Sequence, residues 1–208
     1  MAQQGRPRVF DEQHVLDAAM RVFWRHGYEA STVAELRSVT GLSAASLYGA
    51  FGSKEGLFER AVEHYIAGPG RVSELVGDIT LDPLVAVDRM LHATIEMQSD
   101  PAHPGGCLVT LAATVGAEGD APARAVVTER RVLDRARIAD CLRRGITDGV
   151  MRSDLDPDVA ALLVHSFMLG VSTQILDGVR PAELHRAADL VVEGLRSPQL
   201  STTTDSRP

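Results

Sequence analysis

The stretch STVAELRSVTGLSAASLYGAFGSKEGLF, residues 31–58, decides the fold. Thr32 and Glu35 stand in capping-box relation, the hydroxyl receiving the N–H at the third helical position and the carboxylate reaching back, so a helix opens at Thr32. It is short, because Gly41 permits the left-handed backbone that ends a helix. Ser43 then caps a second helix, with Leu42 and Leu47 spaced as a hydrophobic staple around that cap. Two short helices joined by a tight glycine turn predict a helix-turn-helix. The second helix sets Ser43, Ala44, Ala45, Ser46, Tyr48 and Gly49 around one apolar anchor, Leu47. Such a slim, hydroxyl-bearing face enters a major groove without steric conflict.

Residues 51–55 make a second corner, and Ser53 caps a further helix in which Leu57, Phe58, Ala61 and Tyr65 recur at helical spacing. Lys54 lies in its first turn, where a cation opposes the helix dipole; the position is poor for helix stability and good for holding a phosphate.

Through Thr32, Val33, Leu36, Gly41, Leu42, Ser43, Ser46, Leu47, Tyr48, Phe51, Lys54, Glu55 and Leu57, in this order and spacing, the chain resembles the TetR/AcrR family of transcriptional repressors. The resemblance covers the first third of the chain. It implies a palindromic double-stranded DNA operator, with Thr32 and Tyr48 on phosphates, Ser43, Ala45, Ser46 and Gly49 nearest base edges, and Lys54 pinning the backbone. Hydroxyls and a lysine are ordinary phosphate donors, and alanine meets a thymine methyl. Arg37 stands where many family members carry a small packed residue, so it is either a solvated phosphate contact or a sign of looser packing. The resemblance further implies a small-molecule effector bound in the helical body. Met90, Met97, Cys107, Thr110, Phe167, Met168 and Gln174 are the candidate lining, with plain core membership as the alternative for each.

Composition sets a counterweight. The 208 residues carry a net charge of -7, and residues 1–56 hold six basic and six acidic side chains. DNA binding must therefore come from the placement of a few cations and helix N-termini. No apolar run approaches the roughly 20 residues of a membrane span, and the first residues lack a signal peptide's apolar segment. Two cysteines, Cys107 and Cys141, are too few for a disulfide scaffold, so a cytoplasmic protein is expected.

In chain order, residues 1–9 form a flexible arm whose Arg6 and Arg8 either lie in a minor groove or belong to a frayed terminus. Asp11 caps the first helix, with Phe10 and Val15 at staple positions. Val15, Ala18, Ala19, Val22, Phe23 and His26 share a face until Gly27 ends the element, and Trp24, off that stripe, should pack on the fourth helix. The pattern lapses from Ala67 to Pro83, which divides a DNA-binding domain, 10–67, from a ligand-binding and dimerisation body, 68–196, followed by a disordered tail, 197–208. Within the body, Asp82-Pro83 starts a helix carrying Leu84, Val87, Leu91 and Ile95. Residues 107–115 read as a buried helix. A long helix over 122–144 places Val132, Ala136, Ala139, Leu142 and Ile146 on one side and an arginine-rich, ion-paired face on the other.

Asp156-Pro157 opens a helix that is apolar on two sides, one with Val159, Leu162, Leu163, Phe167, Gly170 and Gln174, the other with Val164, Met168, Val171 and Ile175. It needs two burial partners. The last helix follows Pro181, and small residues at Gly170, Ala187, Ala188 and Gly194 let these two helices approach their copies across a two-fold axis. An all-α homodimer with a four-helix interface is the expectation.

Other chemistry is thin. Cys107, after Gly105-Gly106 at a helix N-terminus, is either a redox or electrophile sensor or a small buried hydrophobe. His92, His103 and Cys107 lack a compact ligand signature, so neither metal nor cofactor is expected. A helical-bundle enzyme would need convergent acids and bases, where this chain offers isolated histidines and scattered carboxylates. A pure interaction module differs from the regulator only in lacking a ligand cavity.

Overall fold

Asp11 opens the first helix, its carboxylate accepting from the N–H groups of Gln13 and His14 at 3.0 and 3.2 Å. In the computed structural model, which describes residues 10–112 and 121–198, this is α1, Glu12–Ala30. Arg6, Arg8, the rest of the arm and the tail from residue 199 lie outside the described residues. Gly27 breaks α1 as expected, with φ 76°. There follow α2, Val33–Thr40, α3, Ala44–Phe51, and α4, Lys54–Ala67, capped by Thr32, Ser43 and Ser53. A 3-10 helix, Arg71–Gly77, precedes α5, Pro83–Ser99, α6, Leu108–Leu111, α7, Ala121–Thr147, α8, Pro157–Leu176, and α9, Pro181–Leu195. Among the described residues the only β pairing is an isolated bridge, Met151 with Arg196.

The chain forms two compact units, residues 1–71 with 97–131 and residues 72–96 with 132–208. The sequence reading changes domain once, near Gly68, whereas the first unit also takes in 97–131.

In the first unit, Leu16, Ala19, Met20 and Phe23 of α1 close on Leu36, Leu47, Leu57 and Phe58, and Leu108, Val109, Ala123 and Val127 complete the cluster. Phe23 and Phe58 meet edge to face at 5.1 Å. Each fully buried ring of this kind adds about 2–3 kcal/mol. Trp24 packs on α4 as expected, edge to face with Tyr65 at 4.8 Å, and its Nε1–H donates to the Gly106 carbonyl at 3.2 Å. The Tyr28 N–H donates to the Ala112 carbonyl at 2.7 Å, seating the end of α6 against the kink of α1.

In the second unit, Val87, Met90, Leu91 and Ile95 of α5 pack with Ile138 and Leu142 of α7, Val164 and Val171 of α8, and Leu184, Ala188 and Leu195 of α9. Asp82 and Asp156 cap α5 and α8 with the predicted cap-and-proline pairs.

Several expectations are corrected. The stretch after Gly70 is not patternless linker, because the 3-10 helix buries Ser73 and Val76. Helix α6 spans only Leu108–Leu111, and residues 113–115 lie outside the described residues. His26 is exposed and Ala18 half-buried, so the stripe of α1 instead runs through Leu16, Met20 and Trp24. On α7, Val132 and Ala136 are exposed. One 3.6-residue stripe does not describe a helix that gives Ala123 and Val127 to one core and Ile138, Cys141 and Leu142 to the other.

Nor is the arginine face of α7 merely solvated. Arg143 does pair with Asp140 and Asp158 at 2.7 and 2.6 Å. Arg131, however, donates to the Val109 carbonyl at 2.6 Å, Arg144 donates to the Val76 carbonyl at 3.1 Å, and Arg130 is buried. Helix α8 reaches membrane-span length after all, with mean hydropathy 1.7, because its two apolar faces add. One of those faces is buried in the second unit, while Val159, Leu162 and Leu163 stand exposed. Ala188, assigned to a close helix approach between copies, is buried in its own core.

Candidate nucleic-acid interface

The site is built by α2 and α3 and held from below by α1 and α4. The Thr32 hydroxyl accepts from the Glu35 N–H at 3.1 Å, forming half of the capping box. The other half is missing, since the Glu35 carboxylate lies 3.3 Å from His26 Nε2. Gly41 takes φ 69° and sends its N–H to the Arg37 carbonyl, so α2 stops there and the chain turns into α3.

Ser43 Oγ accepts from the Ser46 N–H at 3.1 Å and lies 2.9 Å from Ser46 Oγ. Of α3, only Leu47 is buried. That single anchor leaves Ser43, Ala45, Tyr48, Gly49 and Ala50 exposed on one short helix, with Ser46 half-buried among them. Thr32 and Arg37 are exposed on α2. Leu36, beside Arg37, is the buried apolar side chain of α2 here.

Lys54 is half-buried. Its Nζ lies 4.2 Å over the Tyr28 ring and 3.4 Å from the Glu29 carbonyl, a cation–π and hydrogen-bonded seat at the start of α4. Beside it, hydrogen bonds from Tyr28 and then Ser53 hold the Glu55 carboxyl below the usual glutamate range. This surface offers hydroxyls, one lysine, one arginine and the N-termini of two short helices, a donor set suited to phosphates and base edges.

Both parts of the chain have counterparts among known proteins. Residues 15–61 match the family of bacterial regulatory proteins, tetR family, and residues 83–191 match the tetracyclin repressor-like C-terminal domain. The chain belongs to the tetR family. It is a helix-turn-helix transcriptional regulator of that family. The repressor AcnR of Corynebacterium efficiens is 31% identical over 195 residues, 93% of this chain and 97% of that one. The repressor ComR of Escherichia coli K12 is 51% identical over 63 residues, 30% of each chain. The solved structure of the TetR-family regulator CifR, a cysteine mutant complexed with 26-bp double-strand operator DNA, superposes with a TM-score of 0.84 at 33% identity. That match covers 90% of this chain and 98% of CifR.

The candidate effector lining of this tetR-family chain is divided between the two units. Met97, Cys107 and Thr110 belong to the first unit, where the Tyr65 hydroxyl reaches Met97 Sδ and Cys107 Sγ at 3.5 and 3.3 Å. Met90, Phe167, Met168 and Gln174 belong to the second. Met90 is core there, and Gln174 is exposed.

Sequence reasoning weighed His92 with His103 and Cys107 and missed the residues that the fold brings to it. Asp88, His92 and Asp189 converge, with His185 beside His92. The signal was present as Asp-x-x-x-His at 88–92 and His-x-x-x-Asp at 185–189, each pair one turn apart on its helix.

Proposed function

We propose that the chain is a dimeric repressor, working in the cytoplasm, that blocks transcription from a palindromic operator and is released by a small-molecule effector. The observation that carries the reading is α3 itself, an eight-residue helix with one buried side chain and an exposed face of small and hydroxylic ones. In this reading Thr32, Arg37, Tyr48 and Lys54 take phosphates, while Ser43, Ala45, Ser46 and Gly49 approach base edges. Arg6 and Arg8 would extend the contact into the adjacent minor groove.

Dimerisation uses the uncovered apolar face of α8 and α9. Val159, Leu162 and Leu163 of α8 and Leu190 of α9 are all exposed, and Leu190 is 75% accessible. Leu163, Leu190 and Gly194 border a groove of about 430 Å³ on this face. Covering these side chains with the same face of a second copy gives the four-helix interface, and binding a palindromic operator requires the two α3 helices to reach successive major grooves, about 34 Å apart. An effector acts by preferring the dimer geometry that cannot span that distance.

A second reading of the effector concerns Cys107. It is half-exposed where Cys141 is buried, and its thiol accepts from the Tyr65 hydroxyl. An adduct on Sγ would displace Tyr65 and with it the Trp24 contact that seats α1. A mild thiol reagent that modifies native protein and abolishes operator binding supports the sensor; inertness until denaturation removes it.

Selection of bound sequences from random duplex DNA tests the main reading. The expected result is an inverted repeat bound by an even number of chains and protecting its half-sites about one helical turn apart. Recovery of no preferred sequence, or of a direct, asymmetric one bound by a single chain, overturns it.

A further inference from the structure

We propose that Asp88, His92 and Asp189 form a binding site for a zinc-class divalent transition-metal ion bridging α5 and α9, a site independent of the DNA-binding face. His92 Nε2 lies 3.1 Å from Asp189 Oδ1 and 3.5 Å from Asp88 Oδ1, and one donor atom from each of the three residues falls within 4.8 Å of the other two. A tetrahedral ion with bonds of about 2.0–2.1 Å separates its ligand atoms by about 3.3–3.4 Å. The two spacings from His92 bracket that edge length, and the third edge, between the two aspartates, is no longer than 4.8 Å, so side-chain rotation alone closes the set on an ion.

The donor set is chemically consistent. One neutral imidazole and two carboxylates neutralise a divalent charge, and the exposure of Asp189 leaves the fourth position open to water. The i,i+4 spacing of Asp88 and His92 fixes two ligands on one helical turn, and Asp189 supplies the third from another helix. His92 Nδ1 faces His185 Nδ1 at 2.5 Å, with the rings 4.7 Å apart and nearly parallel. Ligation requires Nε2 to be unprotonated, which puts the proton on Nδ1, and His185 accepts it in a hydrogen bond that fixes the tautomer and the ring. His185 is thus a positioning residue. The competing description is a protonated His92 paired with two aspartates and holding no metal.

The test uses tag-free, full-length protein stripped with a chelator and titrated with Zn(II), with Co(II) absorption to report tetrahedral coordination. One ion per chain is expected, with binding lost in His92→Ala and weakened in Asp189→Asn, whose side chain is exposed and whose fold should be unaffected. His185→Ala should weaken binding about 10–100-fold without changing the Co(II) ligand set. His64→Ala, which removes the His64–Asp17 pair, should leave binding unchanged. Absence of a retained ion, or equal binding by native protein, His92→Ala and Asp189→Asn, overturns the site and leaves the ion-paired description.

Discussion

The Tyr28 hydroxyl donates to Glu55 Oε1 at 2.7 Å, and the same ring lies beneath Lys54 Nζ at 4.2 Å. One aromatic residue just after the Gly27 kink therefore grips both residues that open α4. Because α3 has only Leu47 to anchor it, its outward pose depends on its flanking corners, and this grip secures the second of them.

Tyr28→Phe keeps the ring under Lys54 and removes the donor. The expected loss is about 1 kcal/mol near neutral pH. Glu55 is held below the usual glutamate range in the folded state, so the contribution is complete above that range and is lost as pH falls through the lower folded value. Urea denaturation of the two proteins should show a gap at neutral pH that closes toward strong acid. A gap that widens on acidification contradicts the assignment.

Lys54→Ala should weaken binding to operator and random duplex alike and reduce the salt slope by about 1, since a phosphate contact carries no sequence information. Ser46→Ala should instead change which base is preferred in each half-site. Fluorescence anisotropy across a salt series, on both duplexes, separates the two. Equal losses on both duplexes for both variants would reject this division of labour.

Much of the first unit was legible because its signals are local. Thr32, Ser43 and Ser53 cap where their positions predict, and Gly41 turns the chain as its lack of a Cβ allows. Illegible features depended on partners distant in sequence. Val132 and Ala136 fit a helical stripe perfectly well, yet α7 gives successive segments to different cores, which periodicity does not encode. Arg130 and Arg131 read as solvent-facing until carbonyls of α6 come within reach of Arg131 and burial takes Arg130. Likewise Asp88, His92 and Asp189 are just over 100 residues apart at their extremes and meet only when α5 lies beside α9.

Two glycines of the DNA-binding region should respond to alanine with opposite signs. A Cβ on Gly56 would sit 2.1 Å from the Phe51 carbonyl oxygen, which is backbone and cannot move aside cheaply. Gly56→Ala should cost about 3 kcal/mol in thermal or urea unfolding. A Cβ on Gly49 meets nothing within 4 Å, so Gly49→Ala should raise stability by up to about 1 kcal/mol through helix propensity. The same methyl would occupy the face proposed to meet base edges, so operator affinity should fall while stability rises. A tolerated Gly56→Ala would mean that the corner between α3 and α4 is looser than its geometry states.

Leu163→Glu tests the dimer. Leu163 is 60% exposed in the single chain, so the substitution leaves the core of the second unit intact, while in an α8–α9 interface it would bury an unpaired carboxylate at a cost of several kcal/mol. Light scattering should report a folded monomer where the parent is a dimer. Losing the second reading head should lower operator affinity by about 10²–10⁴, the usual range for a broken bivalent contact. Ile79→Glu, at a side chain 81% exposed in the turn before α5, should change neither property. A Leu163→Glu protein that remains dimeric removes this face from the interface, and a folded monomer with undiminished operator affinity removes the need for a dimer.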